Sequence, residues 1–374
     1  MSESPIVKDK AFYNDLIQRA LSRNLIPHRT CEEILASPEI EYLSLLEAAY
    51  QVRKKFKGKT VEIHIINNTQ NGFCPEDCHY CPQARSSIAR IEEYPLKSDE
   101  EILSEAKNAY EKGAFRYCMV FAGRGPSEKR IDHLARLIRK IKAEYPIEIC
   151  VSAGLMNKEA TLKLKEAGLD RLNHNLNTSE AFYKNICTTH TFADRLNTLK
   201  AAKEVGLSIC SGLIVGMGEK AQDVIEVAIR LRELEAPSIP VNFLVPVEGN
   251  LLSKPQGLTP EYCLRVLCLF RFLNPTAEIR VAAGREGHLR SLEVMSLYVA
   301  NSLFLEGYLN TKGSSRLKTL RMIKDAGFEI KSEYLLDDLL QNEEADSSFA
   351  VDGSKNILKQ LKELRPEFTK SVKT

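Results

Sequence analysis

From residue 58 onward, short apolar runs alternate with amphipathic stretches along the 374-residue chain. The runs are rich in Ile, Val and Phe, as buried strands are, and the stretches between them show helical spacing of apolar residues. Helix-start signals support this reading, including a capping box from Ser98 to Glu101 and the pair Thr259-Pro260. The eight predicted strands cover residues 62–66, 115–121, 147–152, 171–175, 208–215, 239–245, 278–282 and 300–305.

Eight strands alternating with helices predict an α/β protein with a parallel sheet. The strand count favours a closed (β/α)8 TIM-type barrel, and an open doubly wound sheet is the alternative. We expect residues 1–57 to form an N-terminal helical extension, residues 58–330 the barrel, and residues 331–374 a partly mobile C-terminal tail. Barrel enzymes carry their catalytic residues at the carboxyl ends of the strands. Chemically active side chains should therefore cluster there.

Composition and charge argue against several classes of protein. The net charge is +2 and the sequence has no basic stripe, which argues against nucleic-acid and membrane-surface binding. The amino terminus is polar, and no run reaches the roughly 18 apolar residues of a membrane helix. We therefore expect a cytoplasmic protein, whose thiols stay reduced. Of its ten cysteines, Cys31, Cys263 and Cys268 are expected to be inert, the last two as small core residues of an apolar helix.

A CxxxCxxC motif, NGFCPEDCHYCPQ, directly follows the first predicted strand and contains Cys74, Cys78 and Cys81. Three thiolates on one loop can ligate three irons of a [4Fe–4S] cube and leave the fourth iron open, as a catalytic metal site requires. A structural zinc site is the alternative, but it would need a fourth ligand, and the next cysteine along the chain is the distant Cys118. The motif therefore indicates a catalytic iron–sulfur cluster.

A second set of cysteines, Cys118, Cys150 and Cys210, lies on predicted strands. Side chains that point into a barrel from several strands can meet around one object, although three separate core cysteines would show the same spacing. Arg280 lies in the middle of a strand, where burial is costly without a partner. It either has such a partner inside the barrel or faces outward in a surface salt bridge.

The CxxxCxxC motif resembles the signature of the radical S-adenosylmethionine superfamily. The segments CPEDCHYCPQ and RLNHNLNTSEAFY are specifically similar to the biotin synthase family, and the resemblance spans roughly residues 60–330. It implies a [4Fe–4S] cluster whose open iron binds S-adenosylmethionine and yields a 5′-deoxyadenosyl radical. It also implies an auxiliary [2Fe–2S] or variant cluster that donates sulfur when dethiobiotin becomes biotin. The implied ligands are Cys74, Cys78 and Cys81 for the first cluster, and the catalytic set Cys118, Cys150, Cys210 and Arg280 for the second.

The resemblance also assigns polar side chains near the strand ends. Asn175 and Asn242 would bind the ureido ring, because an amide offers both a donor and an acceptor. The implied cofactor-binding residues are Asn173, Asn177, Arg195 and Glu219. Simpler roles remain open, namely strand-end capping for the asparagines and a helix-surface charge for Arg195.

Departures from the family pattern put the substrate in question, and one is the segment MVFAGRGP after Cys118, where the family has smaller residues and an aromatic. Asn177 stands where the family has aspartate, and Leu213 stands where it has glycine. A lipoyl-type sulfur inserter or an amino-acid mutase is therefore the nearest rival, and a non-enzymatic iron–sulfur or zinc protein is a rival of another class. Cys187 is not a usual family ligand. We hypothesise that it helps to hold a variant auxiliary cluster; the alternative is a buried helix cysteine.

The resemblance implies partners as well. A consumed sulfur source requires iron–sulfur assembly proteins, and reduction of the cluster requires a flavodoxin-type or ferredoxin-type electron donor. A homodimer fits the resemblance, although no residue pattern demands one.

Overall fold

Eight strand positions close into a parallel barrel in the computed structural model, which describes residues 7–341. The first strand pairs with the second on one side and with the last on the other, which closes the ring. The predicted (β/α)8 barrel is therefore confirmed and the open sheet is excluded. The strands are β1 (Thr60–Gln70), β2 (Arg116–Phe121), β3 (Glu148–Ser152), β4 (Arg171–Asn173), β5 (Ser208–Cys210), β6 (Leu213–Val215), β7 (Ser238–Phe243), β8 (Glu278–Val281) and β9 (Ser302–Phe304).

One predicted strand, 208–215, is divided into β5 and β6 by Ser211 and Gly212. Both pieces pair with β7 and share one position in the ring. A Cβ atom on Gly212 would lie 1.8 Å from the carbonyl oxygen of Pro240, so only glycine allows the backbones to approach this closely. The break turns the chain just after Cys210.

Helices surround the barrel, and three further helices form the amino-terminal segment. The predicted capping box at Ser98 and Glu101 is present, and Thr259 caps a helix that has proline at its first position. The helices are α1 (Lys10–Leu21), α2 (His28–Ala36), α3 (Tyr42–Lys57), α4 (Asp99–Glu111), α5 (Glu128–Glu144), α6 (Lys158–Glu166), α7 (Phe192–Glu204), α8 (Ala221–Glu233), α9 (Pro260–Leu273), α10 (Arg285–Leu289), α11 (Arg316–Asp325) and α12 (Leu336–Gln341).

α2 and α3 pack on α9, and α1 packs mainly on α3. Arg265 of α9 fixes the end of α2 and the segment after it by donating to the carbonyl oxygens of Ile34, Ser37 and Ile40 at 3.0–3.1 Å. Cys31, Cys263 and Cys268 are fully buried, so the core role predicted for the last two is confirmed.

Two short elements lie near the end of the described chain. β10 (Glu329–Ile330), at the end of the predicted barrel segment, pairs with the start of β1, and α12, within the predicted tail, packs against α11. The remainder of the predicted tail, from residue 342, lies outside the described residues. Across residues 7–341, no helix is both long enough and apolar enough to cross a membrane.

The barrel interior is arranged in layers, because alternate residues of each strand point inward. Charged residues fill the layer near the amino ends of the strands, and thiols fill the next layer. Amides line the layer toward the carboxyl ends. In that order, the layers contain His64, Arg116 and Glu278; then Cys118, Cys150, Cys210 and Arg280; then Asn173, Asn175 and Asn242.

Candidate active site and cluster-binding residues

The three cysteines of the CxxxCxxC motif lie on an irregular loop between β1 and α4, at the carboxyl end of the barrel. Cys78 is buried, whereas Cys74 and Cys81 are half-buried. Tight turns shape the loop, with the amide of Cys81 donating to the carbonyl of Cys78 at 3.0 Å. The motif therefore occupies the position that a barrel reserves for catalytic residues.

The surroundings of these thiols suit iron ligation. Burial raises the pKa of Cys74, and backbone N–H groups of Glu76 and Gly123 that donate to its sulfur act in the opposite direction. Burial likewise raises the pKa of Cys81 to about 11 against two backbone donors. Donors aimed at sulfur favour the thiolate, which is the form that ligates iron. The donor set therefore fits a cluster with three protein ligands.

Cys187 lies beside this loop and not beside the strand cysteines. Its sulfur is 3.9 Å from the sulfur of Cys78 and 3.2 Å from a carboxylate oxygen of Asp77. The hypothesis that Cys187 helps to hold an auxiliary cluster is therefore wrong. The short 3-10 turn at Tyr183–Asn185 directs the following chain back across the CxxxCxxC loop, away from the barrel interior.

Two carboxylates within the motif, which our sequence reasoning missed, fasten the loop to the segment around Cys187. Asp77 accepts backbone hydrogen bonds from Thr188 at 2.9 Å and Thr189 at 3.1 Å. Burial acts to raise the pKa of Asp77, but hydrogen bonds from Thr188 outweigh it and hold that pKa well below its usual range. Glu76 pairs with His190. The sequence did contain a signal for this role, because both acids lie between Cys74 and Cys78. Negative charge at that position would disfavour an anionic cluster unless other groups paired with the carboxylates.

The three strand cysteines converge inside the barrel. Cys118 and Cys150 are direct neighbours in the register of β2 and β3, and all three side chains are at most 6% exposed. A hydrogen bond from Cys150 lowers the pKa of Cys118, and the nearby Arg280 acts in the same direction. The structure thus brings together thiols from three strands, in an arrangement that suits a second metal cluster.

Arg280 reaches the same layer from β8 and is 1% exposed, which excludes an outward-facing salt bridge. Its Nη1 lies 3.7 Å from the sulfur of Cys210, and Ser238 also approaches this sulfur, at 3.4 Å. Arg280 therefore has the partner that a buried guanidinium requires.

A cavity of about 210 Å³ separates the loop from the thiol layer. Cys81 lines one side, and Asn173 lines the other side, where its Nδ2 donates to the sulfur of Cys210 at 3.3 Å. Apolar walls come from side chains such as Val120 and Ile214. A small molecule in this cavity would contact the surroundings of both cysteine sets.

Asn175 and Asn242 both line the cavity, and each amide also has a backbone partner. The Oδ1 of Asn175 accepts from Gly212 at 3.1 Å. Asn242 donates to the carbonyl of Leu213 at 2.9 Å and accepts from Ala283 at 3.2 Å. Since an amide has two N–H groups and two acceptor lone pairs, both retain hydrogen-bonding capacity for a ligand.

Arg195 is buried at the cavity wall and is not a helix-surface charge. It donates to the carbonyl of Asn175 at 2.8 Å and to the hydroxyl of Tyr80 at 3.4 Å. Asn177 reaches the same hydroxyl at 2.5 Å from a left-handed backbone, with φ of 70°. Tyr80, inside the motif, thus joins two predicted cofactor residues, although spacing alone gave no signal for it.

Glu219 occupies a different position. Its carboxylate accepts from the backbone amides of Gly216 at 2.7 Å and Met217 at 2.8 Å. Burial raises its pKa, and these amides act against that rise. These hydrogen bonds stabilise the turn after β6. Glu219 is not among the described residues that line the 210 Å³ cavity.

Comparison with known proteins gives matches along most of the chain. Residues 71–231 match the model of the radical SAM superfamily, and residues 240–329 match the Biotin and Thiamin Synthesis associated domain. Biotin synthase from Acaryochloris marina is 54% identical, covering 90% of this chain and 97% of its own length. Biotin synthase from Magnetococcus marinus is 55% identical, covering 84% and 98%.

Solved structures share the fold at low identity. Methylornithine synthase superposes with a TM-score of 0.73 at 20% identity, covering 86% of this chain and 98% of that one. The FeFe-hydrogenase maturase from Carboxydothermus hydrogenoformans also gives a TM-score of 0.73, at 19% identity and with coverages of 88% and 81%. These likenesses support the barrel, whereas the high-identity relatives identify the family. The chain therefore belongs to the biotin synthase family within the radical S-adenosylmethionine superfamily.

Proposed function

We propose that this chain is an enzyme that converts dethiobiotin to biotin by radical sulfur insertion. The observation that carries this proposal is the cavity between the two cysteine sets, with Cys81 on one side and a partner of Cys210 on the other. A substrate held there is near a radical source and a sulfur source at once. Proximity of this kind removes the entropic cost of bringing reactants together.

We assign the two sets of cysteines to two different clusters. Cys74, Cys78 and Cys81 hold the [4Fe–4S] cluster, while Cys118, Cys150, Cys210 and Arg280 hold the auxiliary cluster. When bound, the first cluster with S-adenosylmethionine supplies a 5′-deoxyadenosyl radical and the second supplies sulfur. The protein contributes orientation of the substrate, and it shields the strand cysteines from solvent.

The amides of Asn175 and Asn242 would orient the ureido ring of dethiobiotin. Each has an N–H group or lone pair left after its backbone contact, and a ureido group needs both donors and acceptors. The walls at Val120 and Ile214 would pack against the hydrocarbon part of the substrate. Ligand pockets are commonly lined in this way, with mostly apolar walls and a few polar side chains that fix the orientation of the ligand.

For S-adenosylmethionine, we propose Arg195 and Asn177 as cofactor-binding residues that Tyr80 aligns. Asn173, next to the sulfur of Cys210, would contact the cofactor or the substrate at the boundary of the two sites. Glu219 would act indirectly, by fixing the turn after β6.

Partners follow from the same chemistry. A flavodoxin-type or ferredoxin-type donor would deliver electrons at the CxxxCxxC loop, where Cys74 and Cys81 are half-buried and hence nearer to solvent than the strand thiols. Iron–sulfur assembly proteins would rebuild a consumed auxiliary cluster. A homodimer remains part of the proposal.

The experiment is an anaerobic assay of reconstituted protein with S-adenosylmethionine, a reductant and dethiobiotin. We expect mass spectrometry to detect both 5′-deoxyadenosine and biotin. Deoxyadenosine without biotin would retain the radical chemistry and refute the substrate. Neither product, from protein with full iron content, would refute the proposed activity.

A further inference from the structure

A buried carboxylate, Glu278, lies directly beneath the thiol layer. It is 2% exposed and precedes Arg280 by two residues on β8, so both side chains point into the barrel. Burial of a charged carboxylate is unfavourable unless the group is paired and hydrogen-bonded. Its contacts therefore indicate what it does.

The carboxylate of Glu278 is surrounded by donors from four strands. It forms an ion pair with Nη2 of Arg280, and Arg116 donates to it at 2.9 Å. The hydroxyl of Ser302 donates at 2.8 Å, and a ring nitrogen of His64 lies 3.1 Å away. Because these partners approach from different sides, the carboxylate has a single well-defined orientation.

The contacts of Arg280 show the consequence of that orientation. Its Nε donates to Ser302 at 3.1 Å, and its Nη2 donates to Ser238 at 2.9 Å and to Glu278. These bonds use the N–H groups of Nε and Nη2. The remaining nitrogen, Nη1, is left facing the sulfur of Cys210. The direction in which Arg280 presents Nη1 thus depends on the groups behind it.

We propose that Glu278 is a positioning residue for the auxiliary cluster and acts by fixing Arg280 so that Nη1 faces the strand cysteines. This inference rests on the proposed function, which assigns Cys118, Cys150, Cys210 and Arg280 to that cluster. Glu278 contributes no ligand of its own. It is the strongest acceptor behind the guanidinium, since hydrogen bonds between charged groups are roughly twice as strong as neutral ones.

The test compares Glu278→Gln with wild type in fully reconstituted protein. The measurements are the absorption spectrum and the midpoint potential of the auxiliary cluster, with iron and sulfide counted for each sample. We expect an altered spectrum and a more positive potential in Glu278→Gln. Loss of a negative charge favours the reduced cluster, and a loosened Arg280 changes its surroundings.

Glu293→Gln is the matched control. Glu293 is also a buried carboxylate that forms an ion pair with a buried arginine, but its partner is Arg285 and not Arg280. Glu293→Gln should leave the spectrum and the potential unchanged. Should Glu278→Gln fail to fold, Glu278→Asp tests positioning alone, because it keeps the charge and withdraws it from Arg280. The spectrum should then change, and an unchanged spectrum with full iron content would overturn the inference.

A double variant separates positioning from simple charge. If Glu278 acts through Arg280, its substitution should add no spectral change in an Arg280→Met background. An equal change in both backgrounds, or no change in Glu278→Gln with full iron content, would overturn the inference. Wild-type protein that binds both clusters but makes no biotin would overturn the proposed function and leave this comparison intact. Absence of an auxiliary cluster from wild type would overturn both.

Discussion

The two cysteine sets of this barrel reach their positions by different means. Cys74, Cys78 and Cys81 are neighbours in the sequence, and one loop places them together. Cys118, Cys150 and Cys210 are distant in the sequence and meet because β2, β3 and β5 belong to one run of paired strands, with β4 between β3 and β5. The first set depends on one local segment, whereas the second set depends on the assembled sheet.

The sets also differ in exposure. Cys74 and Cys81 are half-buried at the carboxyl end of the barrel, and Cys81 lines the cavity. The strand cysteines are nearly inaccessible, with Cys210 at 0%. An open site suits exchange of cofactor and entry of electrons, and an enclosed site suits protection of reactive sulfur. The difference predicts that the two functions can be separated by mutation.

The largest effect should come from Cys78→Ala. Loss of one of three ligands removes the radical-generating cluster, so we expect formation of 5′-deoxyadenosine and biotin to fall to background. The auxiliary-cluster absorption should remain, because its ligands lie in a different layer. Cys263→Ala, which alters a buried cysteine of α9, is the control and should retain both products.

Arg195→Lys should have the next largest effect. Lysine cannot reproduce the contacts that the guanidinium makes with Tyr80 and the carbonyl of Asn175. We expect deoxyadenosine formation to slow about tenfold, as is typical when a supporting contact of a metal site is lost. Arg139→Lys, on the exposed face of α5, should leave the rate unchanged. An unaltered rate in Arg195→Lys would remove this residue from the cofactor site.

Substitution of Asn177 tests the departure from the family pattern. Asn177→Ala should lower the free energy of unfolding by about 2 kcal/mol, because alanine is disfavoured at φ of 70° and cannot bond Tyr80. Asn177→Asp should cost less than half as much, since aspartate tolerates this backbone and accepts from the tyrosine hydroxyl. Denaturant melts of both variants give the comparison, and equal losses would contradict it.

Cys187→Ala should have the smallest effect. We expect unchanged iron and sulfide in the auxiliary cluster, because this thiol lies beside Cys78 and not in the barrel interior. The free energy of unfolding should fall by about 1 kcal/mol through loss of a small buried side chain. Specific loss of auxiliary-cluster iron would contradict the placement of Cys187.

The barrel and the cysteine loop could be predicted because their signals are local. Strand and helix alternation predicted the eight strand positions, and the spacing of Cys74, Cys78 and Cys81 predicted one candidate metal site. The division of β5 from β6 could not be predicted, since it depends on the close approach of Gly212 to Pro240. The sequence shows that residue 212 is glycine, but only the structure shows that another strand's backbone lies against it.

The charged layer offers a more instructive case. Arg116 stands two positions before Cys118, and Glu278 stands two positions before Arg280. The family resemblance assigns both Cys118 and Arg280 to the auxiliary cluster inside the barrel. Strand alternation therefore placed Arg116 and Glu278 inside as well, and their opposite charges could have been paired from sequence. The role of Glu219 was less accessible, because its carboxylate turns to its own loop and not to the cavity.

The most direct test of two separable sites is a paired measurement on Cys210→Ala. Reconstituted variant and wild type would be given S-adenosylmethionine, reductant and dethiobiotin, and both products would be quantified in each sample. We predict that the variant still forms 5′-deoxyadenosine but no biotin, with the [4Fe–4S] absorption retained. Biotin at the wild-type level, or loss of deoxyadenosine together with biotin despite an intact [4Fe–4S] cluster, would contradict the account.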